Sequence, residues 1–312
     1  MAKIVGPGSL IADIAAFAPH LPVAGETVKG TTVKFGPGGK GSNQFTAAHR
    51  AGSTVKIISR RGDDFLGQIL KKHYEDEGMS EEYVIVDPDG ETASGVIEID
   101  EKDAQNRIIV ILAANEQVTG EQVLSAEKDF VDCDVVLTQF ETTLEALLTA
   151  KELAKKYNKP FILNPAPYID VPVEVFEGTD YITPNETETM QFTGIYPDSV
   201  ENCRLAAQKF FEMGVKNVVI TLGKNGVYYT NGEEEITVPA AKVVPVETTG
   251  AGDAFNGGFA TAIGEGMDIK TALCFATCTS GISVSRRGSS PSMPYRHEIL
   301  ELMEKEFGIK ID

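Results

Sequence analysis

Tryptophan is absent from this chain, and only four histidines are present. The four cysteines, Cys133, Cys203, Cys274 and Cys278, contain no C-x-x-C pair and show no metal-binding spacing with the histidines. That excludes a zinc centre and a disulfide framework as organising features. Cys274 and Cys278 stand one helical turn apart in an apolar segment and read as packed helix residues. Basic residues are in deficit, with 28 Lys and Arg against 46 Asp and Glu and a net charge of −18. Such a surface repels nucleic acid and anionic membranes at long range, so neither is expected as a partner. Long apolar runs are missing too, and the stretch from Lys3 to Phe17 is interrupted by Gly6, Pro7, Gly8 and Asp13. No membrane span or secretory signal is expected, which places the protein in the cytoplasm and removes the weight of the sequon Asn185-Glu186-Thr187. No G-x-S-x-G occurs, so a serine hydrolase is unsupported.

What is present is a chain of 312 residues, 42% hydrophobic, long enough to bury a large core. Short β-rich runs at Val55–Ser59, Asp134–Gln139, Pro160–Asn164, Asp180–Thr183 and Val218–Leu222 alternate with helical patterns at Lys40–Ala51, Leu144–Tyr157 and Glu201–Met213. That alternation predicts an α/β fold with a mainly parallel central sheet and helices on both faces. Ligands then bind at the carboxyl ends of the strands, where Asn164, Asn185 and Gly223 fall. Two regions, about 10–35 and 92–112, look like strands without intervening helices and predict a small antiparallel sheet inserted into the core. The acidic run Glu233-Glu234-Glu235 beside Asn231-Gly232 predicts a solvated hairpin end.

The most informative segment is Glu247-Thr248-Thr249-Gly250-Ala251-Gly252-Asp253, followed by Phe255, Phe259, Ala262 and Ile263 at helical spacing. A glycine turn entering a helix offers free N–H groups and a positive dipole end to an anion. A carboxylate there would repel a phosphate unless it has a chemical task. Taking a proton from a hydroxyl that attacks a phosphoryl group is such a task, so Asp253 reads as a general base. A bare helix cap is the plainer alternative. A second glycine patch, Gly36-Pro37-Gly38-Gly39-Lys40-Gly41-Ser42-Asn43, satisfies G-x-G-x-x-G formally, with Asp63 at a dinucleotide-like distance. An NAD-linked oxidoreductase is the reading it invites.

Together these motifs resemble, in order, those of the PfkB or ribokinase-like sugar kinases, from Asp13 to about Glu298. The resemblance implies one ribokinase-like domain over 1–312, with lid strands inserted at about 10–35 and 92–112. It implies ATP-dependent phosphorylation of a primary hydroxyl of ribose or a similar furanose, with fructose, a deoxy sugar or a nucleoside as alternatives. A sugar-binding regulator without catalysis is the other-class alternative. Asp253 is then the base, and Gly250, Ala251 and Gly252 form the anion hole. Asp13, Gly38, Gly39, Lys40, Asn43 and Glu141 line the sugar pocket; Glu141 could equally cap a helix beginning near Thr142. The nucleotide falls to Asn185, Thr221, Gly223, Lys224 and Gly226, and Asn185 with Glu188 hold Mg2+ largely through water. A monovalent cation such as K+ is assigned to Glu247, Thr249, Ser283, Arg286, Gly288 and Ser292. Glu247 departs from the aspartate usual in the family, and its extra methylene leaves potassium activation open. The resemblance also allows a homodimer through the lid.

Overall fold

The computed structural model describes residues 1–102 and 106–311, so the polar turn expected within the second inserted region lies partly outside the described residues. Thirteen strands are described: β1 Lys3–Pro7, β2 Ile11–Ala18, β3 Thr32–Gly38, β4 Thr54–Gly62, β5 Ser80–Asp87, β6 Ala93–Asp100, β7 Asn106–Ile111, β8 Val135–Gln139, β9 Phe161–Asn164, β10 Tyr181–Ile182, β11 Asn217–Thr221, β12 Val227–Thr230 and β13 Glu235–Val238. The α-helices are α1 Lys40–Arg50, α2 Phe65–Glu77, α3 Gly120–Ser125, α4 Glu127–Asp132, α5 Leu144–Lys156, α6 Glu186–Thr193, α7 Val200–Glu212, α8 Ala251–Gly264, α9 Ile269–Val284 and α10 Arg296–Phe307.

Nine strands form the main sheet in the order β13-β12-β11-β10-β9-β8-β1-β4-β5. Every pairing from β11 to β5 is parallel, and only the β11–β12 and β12–β13 pairings are antiparallel. All five residues of β8 are buried, as a strand covered on both faces requires. Its side chains alternate: Val135 and Leu137 join a core with Phe45, Phe255, Phe259 and Phe275, whereas Val136 joins Phe130, Leu147 and Phe210 on the other face. The helix ends follow local chemistry. Asp64 caps α2 and accepts from the Gly67 N–H at 2.7 Å, and Gly78 ends that helix at φ 68°. Thr143 and Ser199 cap α5 and α7 in the same way.

The second sheet has four strands in the order β3-β2-β6-β7. It differs from the antiparallel sheet expected, because its central pair, β2 and β6, is parallel. The chain leaves this sheet after β3 and builds α1, β4, α2 and β5 before returning, and a crossover of that kind brings β6 back in the direction of β2. The hairpin at 231–234 forms as expected, with Glu235 opening β13 and pairing with Arg204.

Candidate active site

Two cavities meet where the main sheet's strand ends approach the small sheet. A cavity of about 680 Å³ is lined by Asp13, Ile97 and Ile99 from the small sheet and by Glu247, Thr249, Gly288 and Ser289 from the facing loops. A smaller one of about 130 Å³ is lined by Lys40, Asn164, Asn185, Glu188, Thr221 and the segment 250–253. Thr248 lines both.

Gly250 precedes α8 with φ 77°, a left-handed conformation that glycine adopts without strain. It serves as the N-cap, so Asp253 sits in the first turn and does not cap the helix. Asp253 is only 7% exposed. Its Oδ2 accepts from Asn43 Nδ2 at 2.9 Å and its Oδ1 from Gln44 Nε2 at 3.0 Å. The carboxylate is thus braced by consecutive residues of α1, while the N–H groups of the first turn of α8 have no partners within the helix.

Asp13 pairs in register with Gly36 on one side and Gly95 on the other. Gly38 and Gly95 leave room for its carboxyl group: a Cβ at Gly38 would lie 2.3 Å from Asp13 Oδ2, and one at Gly95 would lie 2.8 Å from Oδ1. Burial pushes the Asp13 carboxyl up to about 6, against the hydrogen bond from Ser289 Oγ at 3.2 Å, which favours its charge. Glu141 is buried and raised for the same reason, opposed by Lys40. Its Oε2 accepts from Ser9 Oγ at 2.6 Å and from the Lys40 N–H at 2.8 Å. The helix-cap alternative for Glu141 fails, because Thr143 caps α5. Burial works against the Lys40 charge, but the carboxylates of Asp253, Glu141 and Glu188 outweigh it and raise the amine. Gly39, at φ 88°, opens α1 and brings these groups together.

Asn185 and Glu188 form a reciprocal capping box: Asn185 Oδ1 accepts from the Glu188 N–H and Glu188 Oε2 from the Asn185 N–H, each at 2.9 Å. Glu188 keeps Oε1 for the small cavity, and burial raises its carboxyl. Gly223, Lys224 and Gly226 lie beyond Thr221 in the turn after β11, with Gly226 at φ 94°, and line neither cavity. Glu247, Thr249 and Gly288 line the large cavity, and Glu247 Oε2 accepts from the Gly288 N–H at 3.1 Å. Ser283 and Ser292 are buried with their hydroxyls 2.7 Å apart, and the Arg286 guanidinium turns away to Glu298.

The glycine patch at 36–41 is no dinucleotide turn. Gly36 and Gly38 lie within β3, which pairs antiparallel with β2, whereas a dinucleotide fingerprint joins a strand of the parallel sheet to its helix. Asp63, the expected ribose contact, bonds Gln68.

Residues 1–296 match the family described as pfkB family carbohydrate kinase. This chain belongs to that family. It is a phosphotransferase acting on a sugar hydroxyl. It is 35% identical over 303 residues to a ribokinase of Bacillus subtilis, covering 97% of this chain and 100% of the relative. A deoxyribokinase of Salmonella typhi is 33% identical over 302 residues, with 95% and 98% covered. Among solved structures, Arabidopsis thaliana ribokinase complexed with ribose and ATP superposes with a TM-score of 0.91 at 30% identity, covering 97% of this chain and 99% of that one. Among the described residues, no helix is long and apolar enough to cross a membrane.

Proximity in the fold adds Gln44, Ser9, Ser289, Ser290 and Asn256 to the site. Gln44 directly follows Asn43 in the second glycine patch, which was the one available signal. Asn256 follows Asp253 by three residues, and Ser289 and Ser290 lie between Gly288 and Ser292, so each stands beside an expected site residue, but their roles show only through partners distant in the chain.

Proposed function

We propose that this kinase transfers the γ-phosphoryl group of ATP to a primary hydroxyl of ribose or a similar furanose. The observation that carries the reading is the placement of Asp253: a buried carboxylate, braced on both oxygens, in the glycine turn 250–253 that lines the small cavity. Asp253 takes the hydroxyl proton as that oxygen bonds to phosphorus, and the bond to the bridging oxygen of ADP breaks. The amides of Gly250, Ala251 and Gly252 hold the transferred group's charge. Asp13, Glu141 and Asn43, with the backbone of Gly38, Gly39 and Lys40, hold and orient the sugar. Four carboxylates on the large cavity wall, Asp13, Asp100, Glu101 and Glu247, outnumber its two cations, Lys34 and Arg287, and favour a neutral acceptor over an anionic one. The nucleotide belongs at Asn185, Thr221, Gly223, Lys224 and Gly226.

Asn185 and Glu188 fit Mg2+ held through water, because their capping box leaves a single carboxylate oxygen free in the small cavity. Bound there, the ion would neutralise phosphate charge against this acidic surface. The set proposed for K+ fits only in part: Glu247 keeps one carboxylate oxygen beside its bond from Gly288, but the Ser283 and Ser292 hydroxyls bond each other and the Arg286 cation pairs with Glu298.

The whole chain then acts as one kinase domain, with the four-stranded sheet as its lid. Val33, Phe35, Ile109 and Ile111 give that sheet an exposed apolar face suited to a second copy. Four free, buried thiols suit the cytoplasm. A deoxy sugar is the second reading, favoured by the Salmonella relative.

The test is coupled ADP release across pentoses, hexoses and nucleosides, with and without potassium. Ribose should be turned over fastest, and potassium should change its rate less than about twofold. ADP release from no acceptor would leave a silent sugar binder.

A further inference from the structure

Gln44 has no part in the chemistry above, yet its side chain is wholly buried and every polar atom on it is used. Its Nε2 donates to Asp253 Oδ1 at 3.0 Å and to Asn164 Oδ1 at 2.9 Å, and its Oε1 accepts from Gln139 Nε2 at 2.9 Å. An amide nitrogen carries two protons, so both are committed. Neighbours fix which way the amide faces. Asn164 donates its own nitrogen to the Thr183 carbonyl at 2.9 Å, which turns its oxygen toward Gln44. A reversed Gln44 would set its oxygen against the Asp253 carboxylate and the Asn164 oxygen, and its NH2 against the NH2 of Gln139.

Gln139 gives the arrangement its second, independent mark. Its Oε1 is buried without a partner among the described residues, and a Cβ on Gly8 would come within 3.0 Å of that atom. An orphaned buried acceptor is destabilising, and native proteins rarely keep one. Turning Gln139 over would leave the Gln44 oxygen facing another oxygen.

We infer that Gln44 is a positioning residue that holds the Asp253 carboxylate in its working rotamer, with Gln139 at the end of β8 setting the direction of the Gln44 amide. The inference rests on Asp253 being the base. Asn43 fixes one carboxylate oxygen and Gln44 the other, so the group cannot rotate, while each oxygen retains a lone pair for the incoming proton.

The test compares Gln44→Met, Gln139→Met, their double variant and Asp253→Asn, using MgATP and the acceptor turned over fastest in the panel, ribose on the reading above. Methionine keeps length and removes the amide. Gln44→Met should lower kcat by about tenfold to a hundredfold with KM for the sugar within about threefold, the loss expected when a reacting group drifts by about 1 Å. Gln139→Met should lower kcat less, and the double variant should match Gln44→Met alone, because Gln139 acts only through Gln44. If Gln44→Met fails to fold, Gln139→Met decides: unchanged kcat overturns the inference. Normal kcat in Gln44→Met beside an inactive Asp253→Asn overturns this inference and leaves the base standing. Normal turnover in Asp253→Asn removes both. A loss shared between kcat and KM, with a lowered melting temperature, marks a merely structural role and also overturns it.

Discussion

The side-chain amide of Asn43 donates to Asp253 Oδ2 across 2.9 Å, tying together the first turns of two helices that are 210 residues apart in the chain. Asparagine at 253 would keep the shape and lose the proton acceptor. Asp253→Asn should cut kcat by about 10² to 10⁴-fold, as removal of a general base does. Sugar binding measured by calorimetry should persist.

Asp13 sets a pH dependence whose sign is opposite to that of most carboxylates. Its ordinary value is 3.8 and burial raises it to about 6, so between those values the folded state holds more protons than the unfolded chain. Ionisation of Asp13 therefore costs stability in full above about pH 6, and the cost is relieved as pH falls toward 4. Asp13→Asn should stabilise the sugar-free protein by about 2 kcal/mol at neutral pH, read from urea unfolding. The same change should weaken sugar binding at least about tenfold, the usual exchange between stability and function at a site. In the wild type, KM for the sugar should rise as pH drops through 6.

Helices α1 and α8 approach closely only because position 257 lacks a side chain. A Cβ there would lie 2.4 Å from the Gln44 carbonyl oxygen. Gly257→Ala should destabilise by about 2 kcal/mol through overpacking. It should also lower kcat, since the displaced strip of α1 carries both residues that brace Asp253. Thermal unfolding and steady-state kinetics check the two effects.

Arg50 is a structural support of the site. It makes two hydrogen bonds to Glu77, at 2.6 and 2.9 Å, and donates to the Met293 and Pro291 carbonyls at 2.7 and 3.1 Å. The segment it holds carries Ser289, which reaches Asp13, and Ser290, which reaches Asn43. Arg50→Met should cost about 2–3 kcal/mol, because it leaves Glu77 largely buried without its partner. A urea titration measures the loss, and KM for the sugar should rise with it.

Much of this architecture was legible because it is written in local patterns. The apolar Val135-Val136-Leu137 run of β8, the capped amphipathic helices and the glycine turn before Asp253 each follow from a few consecutive residues. The direction of β6 was not legible, since pairing of β2 with β6 depends on the route taken by the intervening α1, β4, α2 and β5. Glu141 was open between cap and pocket until Thr143 was found at the helix start and Ser9, 132 residues away, was found against its carboxylate. Gln44 lay in plain view beside Asn43 but looked like any polar helix residue. Its meaning comes from Gln139, Asn164 and Asp253, which reach it from three other elements.

The two glycines crowded against Asp13, Gly38 and Gly95, leave little latitude for change at this corner of the molecule. A methyl group gained at position 38 or 95 would collide with the carboxylate before anything else could adjust. A lineage drifting toward a bulkier residue there would first have to lose the acid, and without the acid the gap has no use. Acceptor preference in descendants of this chain should therefore alter in jumps that couple position 13 to its neighbours, rather than by gradual tuning of one residue.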